Sequence, residues 1–179
     1  MAVAVARAET PEDLDVVRCL IRDFLGWAMA HLAEGEKDPN PSVFANLEAE
    51  LAGLPGRFGP PSGCLLLAQL DGAPVGCVAF YGQDAMTMEI KRMFVRPEAW
   101  GKGVGGRMLE VLLAEAEAAG YVRYRLSTHH KLHTAQALYR RAGFREVPGS
   151  AGFPGIVEGV DICMEMSPAR DAAKEARLA

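Results

Sequence analysis

Apolar positions along the 179-residue chain follow two rhythms, and the changes between them mark the elements. Val3 to Arg7 alternates and reads as a short strand. Thr10-Pro11-Glu12-Asp13 then has a cap, a proline at the first helical position and an acid placed to answer the cap. Leu14, Val17, Ile21, Phe24 and Ala28 recur at helical spacing, so residues 11 to about 33 form an amphipathic helix. A weaker helix follows, with Phe44, Leu47 and Leu51 on one face, and residues 54–63 form a proline- and glycine-rich loop. Apolar runs at 64–70 and 74–81 flank Asp71-Gly72, a strong hairpin signal. In a third strand, 86–95, alternation places Met88, Ile90 and Phe94 on one face and Glu89, Lys91 and Met93 on the other. Leu109, Leu112, Leu113 and Ala116 give a helix over 106–119 that stops at Gly120. A strand at 121–128, a helix from Thr134 to Ala142 before Gly143, and strands at 144–147 and 156–166 complete the pattern. The tail 168–179 reads as a frayed helix.

The strand, helix and strand at 86–95, 106–119 and 121–128 form a βαβ unit, whose right-handed crossover makes its strands parallel. Antiparallel hairpins precede it, so the sheet is mixed and the class is α/β or α+β. The length and uninterrupted pattern suit one domain over 1–179. A net charge of −4 gives no basic stripe for nucleic acid. Without a basic leader or an apolar run of membrane-spanning length, the expectation is a cytoplasmic protein without membrane contact. Cys19, Cys64, Cys77 and Cys163 form no CxxC pair, which favours reduced, mostly buried thiols over a metal site.

The stretch AWGKGVGGRM, residues 99–108, changes the picture from fold to chemistry. It lies between a strand and a helix of the βαβ unit, where free amides and the helix dipole favour an anion. A tight turn would need one glycine. Gly101, Gly103, Gly105 and Gly106 exceed that need, and Lys102 and Arg107 add positive charge, so the turn reads as a phosphate site. The spacing is neither that of a P-loop nor a dinucleotide fingerprint, and no acid lies about 20 residues on.

The run RMFVRPEAWGKGVGGRMLEVLLAEAEAAGY is similar to the acyl-CoA motif of the GNAT acetyltransferase superfamily, Gln/Arg-x-x-Gly-x-Gly/Ala after a strand ending in Val-x-Pro. AQALYRRAGFREV resembles that family's downstream segment, in the right order and about 30 residues away. The likeness covers about Leu65 to Met166. It implies the GNAT fold, a mixed, mostly antiparallel sheet with a central splayed parallel pair and flanking helices, and acetyl-CoA as cosubstrate without a metal.

The resemblance also implies roles. The strand at Met93, Phe94 and Val95 would offer backbone groups to the pantetheine, an amide there polarising the thioester carbonyl. Trp100, Gly101, Lys102, Gly103, Val104, Gly105, Gly106 and Arg107 would hold the pyrophosphate, with Trp100 replacing the usual Gln or Arg. Trp100 could instead pack on the pantetheine or cover the loop. Tyr139 matches the tyrosine that protonates the departing thiolate, while Leu132 replaces an asparagine seven residues before it. Glu89 corresponds to a carboxylate that acts as base through water; the alternative is a surface glutamate paired with Lys91 or Arg123. His129, His130 and His133 fall near the cleft mouth as acceptor contacts, a base or solvated loop. The implied activity is acetyl transfer to a primary amine of a small molecule or peptide by direct attack. The alternative is a CoA-sensing or partner-binding module with little catalysis. Residues 34–61 are the acceptor-side segment, and the apolar 156–166 segment is compatible with a homodimer.

Overall fold

A computed structural model describes residues 1–32, 46–148 and 152–168. Within them the elements run β1 (Val3–Arg7), α1 (Pro11–Leu32), α2 (Leu47–Ala52), β2 (Gly63–Leu70), β3 (Ala73–Gly82), β4 (Thr87–Val95), α3 (Val104–Ala118), β5 (Arg123–His129), α4 (His133–Ala142), β6 (Arg145–Glu146) and β7 (Asp161–Met166). The α1 start is a reciprocal cap. Thr10 Oγ1 accepts from the Asp13 amide at 3.1 Å, and Asp13 Oδ2 accepts from the Thr10 amide at 3.3 Å. Asp71 and Gly72, with φ of 50° and 84°, make the tight turn of the β2–β3 hairpin.

Among the described residues the strands form one sheet in the order β1-β2-β3-β4-β5-β7-β6. All pairs are antiparallel except β4–β5, the parallel pair expected of the βαβ unit. Helix α3 covers one face, packing Met108, Leu109, Leu112 and Ala116 onto Leu66, Val78, Phe80, Met88 and Ile90. Helices α1 and α2 cover the other, with Val17, Leu20, Ile21, Leu47 and Leu51 against Leu65, Leu67, Cys77, Ala79 and Phe94. The apolar runs of β2 and β3 are continuous because both faces are buried.

One expected face assignment is overturned. Phe94 does not share a face with Met88 and Ile90, nor Met93 with Glu89. Between the pairs Ala79↔Lys91 and Cys77↔Phe94, β4 carries one residue more than β3, and Arg92 sits at φ 56°. This β-bulge reverses the alternation. Phe94 turns to the α1 side, 5.5 Å from the Phe24 ring, and Met93 and Val95 turn to the α3 side.

Boundaries also move. The closing strand spans only Asp161–Met166, because residues 156–160 are turns stapled by the Val157 amide on Asp161 Oδ2 at 2.9 Å. The strand β5 starts at Arg123, α3 starts at Val104, and the 54–63 loop holds a short 3₁₀ turn at Gly56–Phe58. Cys64, Cys77 and Cys163 are buried and Cys19 is exposed on α1. Residues 34–45 of the 34–61 segment, with Phe44 among them, and the tail beyond residue 168 lie outside the described residues.

Gly76 faces the bulge. A Cβ there would lie 2.7 Å from the Phe94 carbonyl and 3.2 Å from Met108 Cε. Gly76→Ala should therefore cost about 1–3 kcal/mol through overpacking, read as a lower urea midpoint with an unchanged slope.

Candidate active site

The parallel ladder between β4 and β5 runs from Thr87↔Arg123 to Ile90↔Leu126 and stops there. Both strands continue. On its far edge β4 stays paired with β3 to Val95, and β5 stays paired with β7 to His129. Past Ile90 and Leu126 the two strands part, with no ladder between their facing backbone edges. Buried backbone groups are satisfied almost without exception, so the parting of this pair leaves backbone groups at the inner edges that the sheet itself does not pair.

The glycine turn lies at the same end of the sheet. After the turn at Pro97–Ala99, Gly101 and Gly103 adopt φ of 73° and 81°, a region that favours glycine. Gly105 and Gly106 need no such freedom. Nothing lies within 4 Å of a Cβ at 106, and one at 105 would meet Leu138, Met93 and Val95 at ordinary contact distances. The turn thus takes two glycines for its backbone, where one was expected, and leaves two bare without a packing demand. Among the described residues no acceptor takes the amides of 101–106, and Gly103 caps α3 without a side chain. These amides form a row of donors at the positive end of the α3 dipole.

Trp100 turns its indole N–H onto the Val95 carbonyl at 2.7 Å. Its ring is half-exposed and meets Trp27 of α1 edge-on at 5.8 Å. Lys102 lies on the exposed turn, and Arg107 pairs with Glu110 at 2.8 Å. On the opposite lip, the Lys131 ammonium donates to the Leu32 carbonyl at 2.9 Å. The end of α1 therefore touches both lips of the splay.

Tyr139 is buried on α4, edge-on to Phe144 at 6.0 Å. Burial raises its phenol well above the usual tyrosine range, so it stays protonated at neutral pH. No hydrogen bond within the described residues fixes its hydroxyl. Leu132 supplies only backbone here, its carbonyl accepting from the Gln136 amide at 3.0 Å. Gln136, which the motifs did not single out, is buried and holds the turn by donating to the His129 and His130 carbonyls at 3.2 and 2.7 Å. The His129 and His130 rings stack at 4.6 Å, and His130 Nδ1 lies 3.0 Å from the Val160 carbonyl. No group of metal-ligating side chains occurs among the described residues.

Glu89 is fully buried. Its Oε2 accepts from the Tyr81 hydroxyl at 2.6 Å and from Gln83 Nε2 at 2.7 Å. The Lys91 ammonium lies 2.5 Å from Oε1 as an ion pair, outside hydrogen-bond alignment. Arg123 pairs with Glu165 instead. Burial, then the bond to Glu89, pushes the Tyr81 phenol up to about 12. Of this surround sequence reasoning named only the pairing with Lys91, and it placed that alternative at the surface, whereas Glu89 is buried. Arg57 lies 4.2 Å over the Tyr81 ring and 3.0 Å from Glu50 Oε2, while Arg92 Nε donates to Glu50 Oε1 at 2.6 Å. On the other flank, Gln83 Nε2 also donates to the Gly152 carbonyl at 3.1 Å. The one available signal was the adjacent pair Lys91-Arg92, which breaks strict alternation where the bulge falls.

A mixed sheet with a splayed parallel pair and a bare-backbone helix start at the same end defines an architecture shared with acetyltransferases. Residues 22–144, more than half of the chain, match the acetyltransferase (GNAT) family. The chain belongs to that family. It is 31% identical over 147 residues to an uncharacterized N-acetyltransferase of Schizosaccharomyces pombe, covering 80% of this chain and 83% of the relative. An IAA acetyltransferase of Azospirillum brasilense is 42% identical over 82 residues, 45% of this chain and 54% of that one. Among solved structures, the PaiA N-acetyltransferase of Thermoplasma acidophilum in complex with coenzyme A superposes with a TM-score of 0.70 at 18% identity, over 93% of this chain and 99% of the other. A GNAT acetyltransferase of Elizabethkingia anophelis with acetyl-CoA bound gives 0.55 at 20% identity, over 93% and 97%. No helix among the described residues is long and apolar enough to cross a membrane.

Gly103→Ala should destabilise the fold by about 1 kcal/mol because of its positive φ. Gly106→Ala should stabilise it by roughly 0.5–1 kcal/mol, since glycine is there at a helical cost. Opposite shifts in urea midpoint check the pair.

Burial alone would raise the Glu50 carboxyl, but the bond to Arg92 and the charges of Arg92 and Arg57 hold it below the ordinary value of 4.5. A lowered native pKa adds stability above the unfolded value, and this is lost as pH falls through the native one. Wild type should thus exceed Glu50→Gln in stability at neutral pH. Urea titrations should show the gap closing as pH drops below 4.5.

Proposed function

We propose that this protein is an N-acetyltransferase that moves the acetyl group of acetyl-CoA to a primary amine by direct attack. The observation that carries the reading is the coincidence of the splay past Ile90–Leu126 with the unpartnered amides of 101–106. The amides suit a pyrophosphate, the β4 edge at Met93–Val95, which has no β5 partner and whose Val95 carbonyl accepts from Trp100, suits an amide-bearing arm, and the open space at Gly101, Gly103 and Gly106 leaves room for the phosphates. Family membership and neighbours crystallised with coenzyme A or acetyl-CoA support the same ligand. Acetyl-CoA would supply an activated acyl carbonyl on a thiol leaving group, so the protein needs no nucleophile of its own.

The chain's residues would divide the remaining work. A β4 amide at 93–95 polarises the carbonyl. Glu89 takes a proton from the amine, directly or through water, and Tyr139 gives one to the departing sulfur. A buried phenol that stays protonated suits that last role. Trp100 contributes by fixing the Val95 carbonyl rather than by reaching for a phosphate, which leaves anion binding to backbone and dipole. The acceptor approaches from the α1–α2 side, where Glu89, Lys91 and Arg92 lie.

Calorimetry with acetyl-CoA, CoA, ATP and NAD is the first test. Micromolar binding, about 8 kcal/mol, selective for the CoA pair is expected, and absence of it contradicts the reading. With thiol release from acetyl-CoA followed over a panel of primary amines, Tyr139→Phe should lower kcat about 100-fold and leave acetyl-CoA affinity unchanged. Binding without turnover of any amine would instead support a CoA-responsive module.

A further inference from the structure

Lys91 stands apart from the other lysines. It is the first residue of β4 beyond the last β4–β5 pair, at the point where the strands part. Its side chain is largely shielded, at 22% exposure, and its primary amine lies 2.5 Å from Oε1 of a carboxylate with no exposure. The other carboxylate oxygen is taken by two donors from β3 and the residues after it, Tyr81 and Gln83, so Glu89 cannot turn Oε1 away without breaking both. An amine beside a fixed buried carboxylate at the head of an acyl-binding cleft has the arrangement of acceptor and base.

We infer that Lys91 Nζ is an internal acceptor and that the chain acetylates it. The inference rests on the reading of the cleft as an acetyl-CoA site. The ammonium gives one proton to Glu89 Oε1. The neutral amine then forms the C–N bond to the acetyl carbonyl carbon as the C–S bond breaks, and the CoA thiolate leaves as a thiol with a proton from Tyr139, which regains one from the new amide nitrogen. The products are Nε-acetyl-Lys91, free CoA and protonated Glu89, which returns its proton to solvent. The modification removes the only cation that the structure places against Glu89 Oε1 among the described residues. The carboxylate is then left to attract a cationic amine, so self-acetylation converts a charge-compensated site into one that favours an external ammonium acceptor.

The test is peptide mass spectrometry of the purified chain before and after incubation with acetyl-CoA, with calorimetric acetyl-CoA binding measured on the same sample. Stoichiometric acetylation at Lys91 is expected. Glu89→Gln should slow it about 100-fold or more, and Lys91→Arg should abolish it, both variants still binding acetyl-CoA. Binding with no acetyl group at Lys91 overturns the inference alone. So does modification no faster than at exposed Lys102, or equally fast in Glu89→Gln. Absence of binding overturns the acetyl-CoA reading, and the inference with it.

Discussion

A parallel strand pair that stops pairing while both strands continue is the constraint on which the rest of this architecture depends. Past Ile90 and Leu126 the inner edges of β4 and β5 have no ladder between them, yet their outer edges remain held by β3 and β7. The gap is therefore a stable feature of the sheet rather than a frayed end. The bulge at Arg92 lies just beyond the parting point and reverses which residues face which core. With Met93 and Val95 turned to the α3 side, the first turn of α3 packs against the end of β4, and the glycine turn comes to rest beside the gap.

Beside the apolar core under α1 and α2, a charged network runs around Glu89. Glu50 of α2 binds the bulge residue Arg92 and also Arg57, whose guanidinium lies over Tyr81. Tyr81 and Gln83 meet on one oxygen of Glu89, and Gln83 reaches on to the Gly152 carbonyl. Arg125, which also donates to Gly152, lies 5.2 Å from the Phe153 ring. The segment ending at Arg57 and the one starting at Gly152 are thus both connected to a single buried carboxylate. In a buried network of this kind each bond matters, because an unpaired partner has no water to turn to.

Much of the fold was legible because local signals agreed. The Thr10–Asp13 cap, the Asp71-Gly72 turn and Gly143 all mark boundaries that the structure keeps. The glycine turn was legible as a strand-to-helix junction for the same reason, with Gly101 and Gly103 at positive φ where the helix begins. Two features were not. The bulge is one inserted residue, and periodicity over nine residues reads it as noise unless the Lys91-Arg92 pair is weighed. The network around Glu89 joins residues up to 69 positions apart, Gln83 to Gly152, and no local pattern encodes such a pairing. The apolar stretch 156–166 reads as one strand, but its first half is folded back by Asp161.

We propose that the amides of 101–106 and the β4 edge at Met93–Val95 form one continuous binding surface. Backbone amide resonances followed by NMR while CoA is titrated into the isotope-labelled chain test this most directly. The account predicts that the amides of Gly101, Gly103, Gly105 and Gly106 shift together with those of Met93 to Val95, at one common saturation point. Shifts confined to one of the two segments, or saturation at different CoA concentrations, would contradict it.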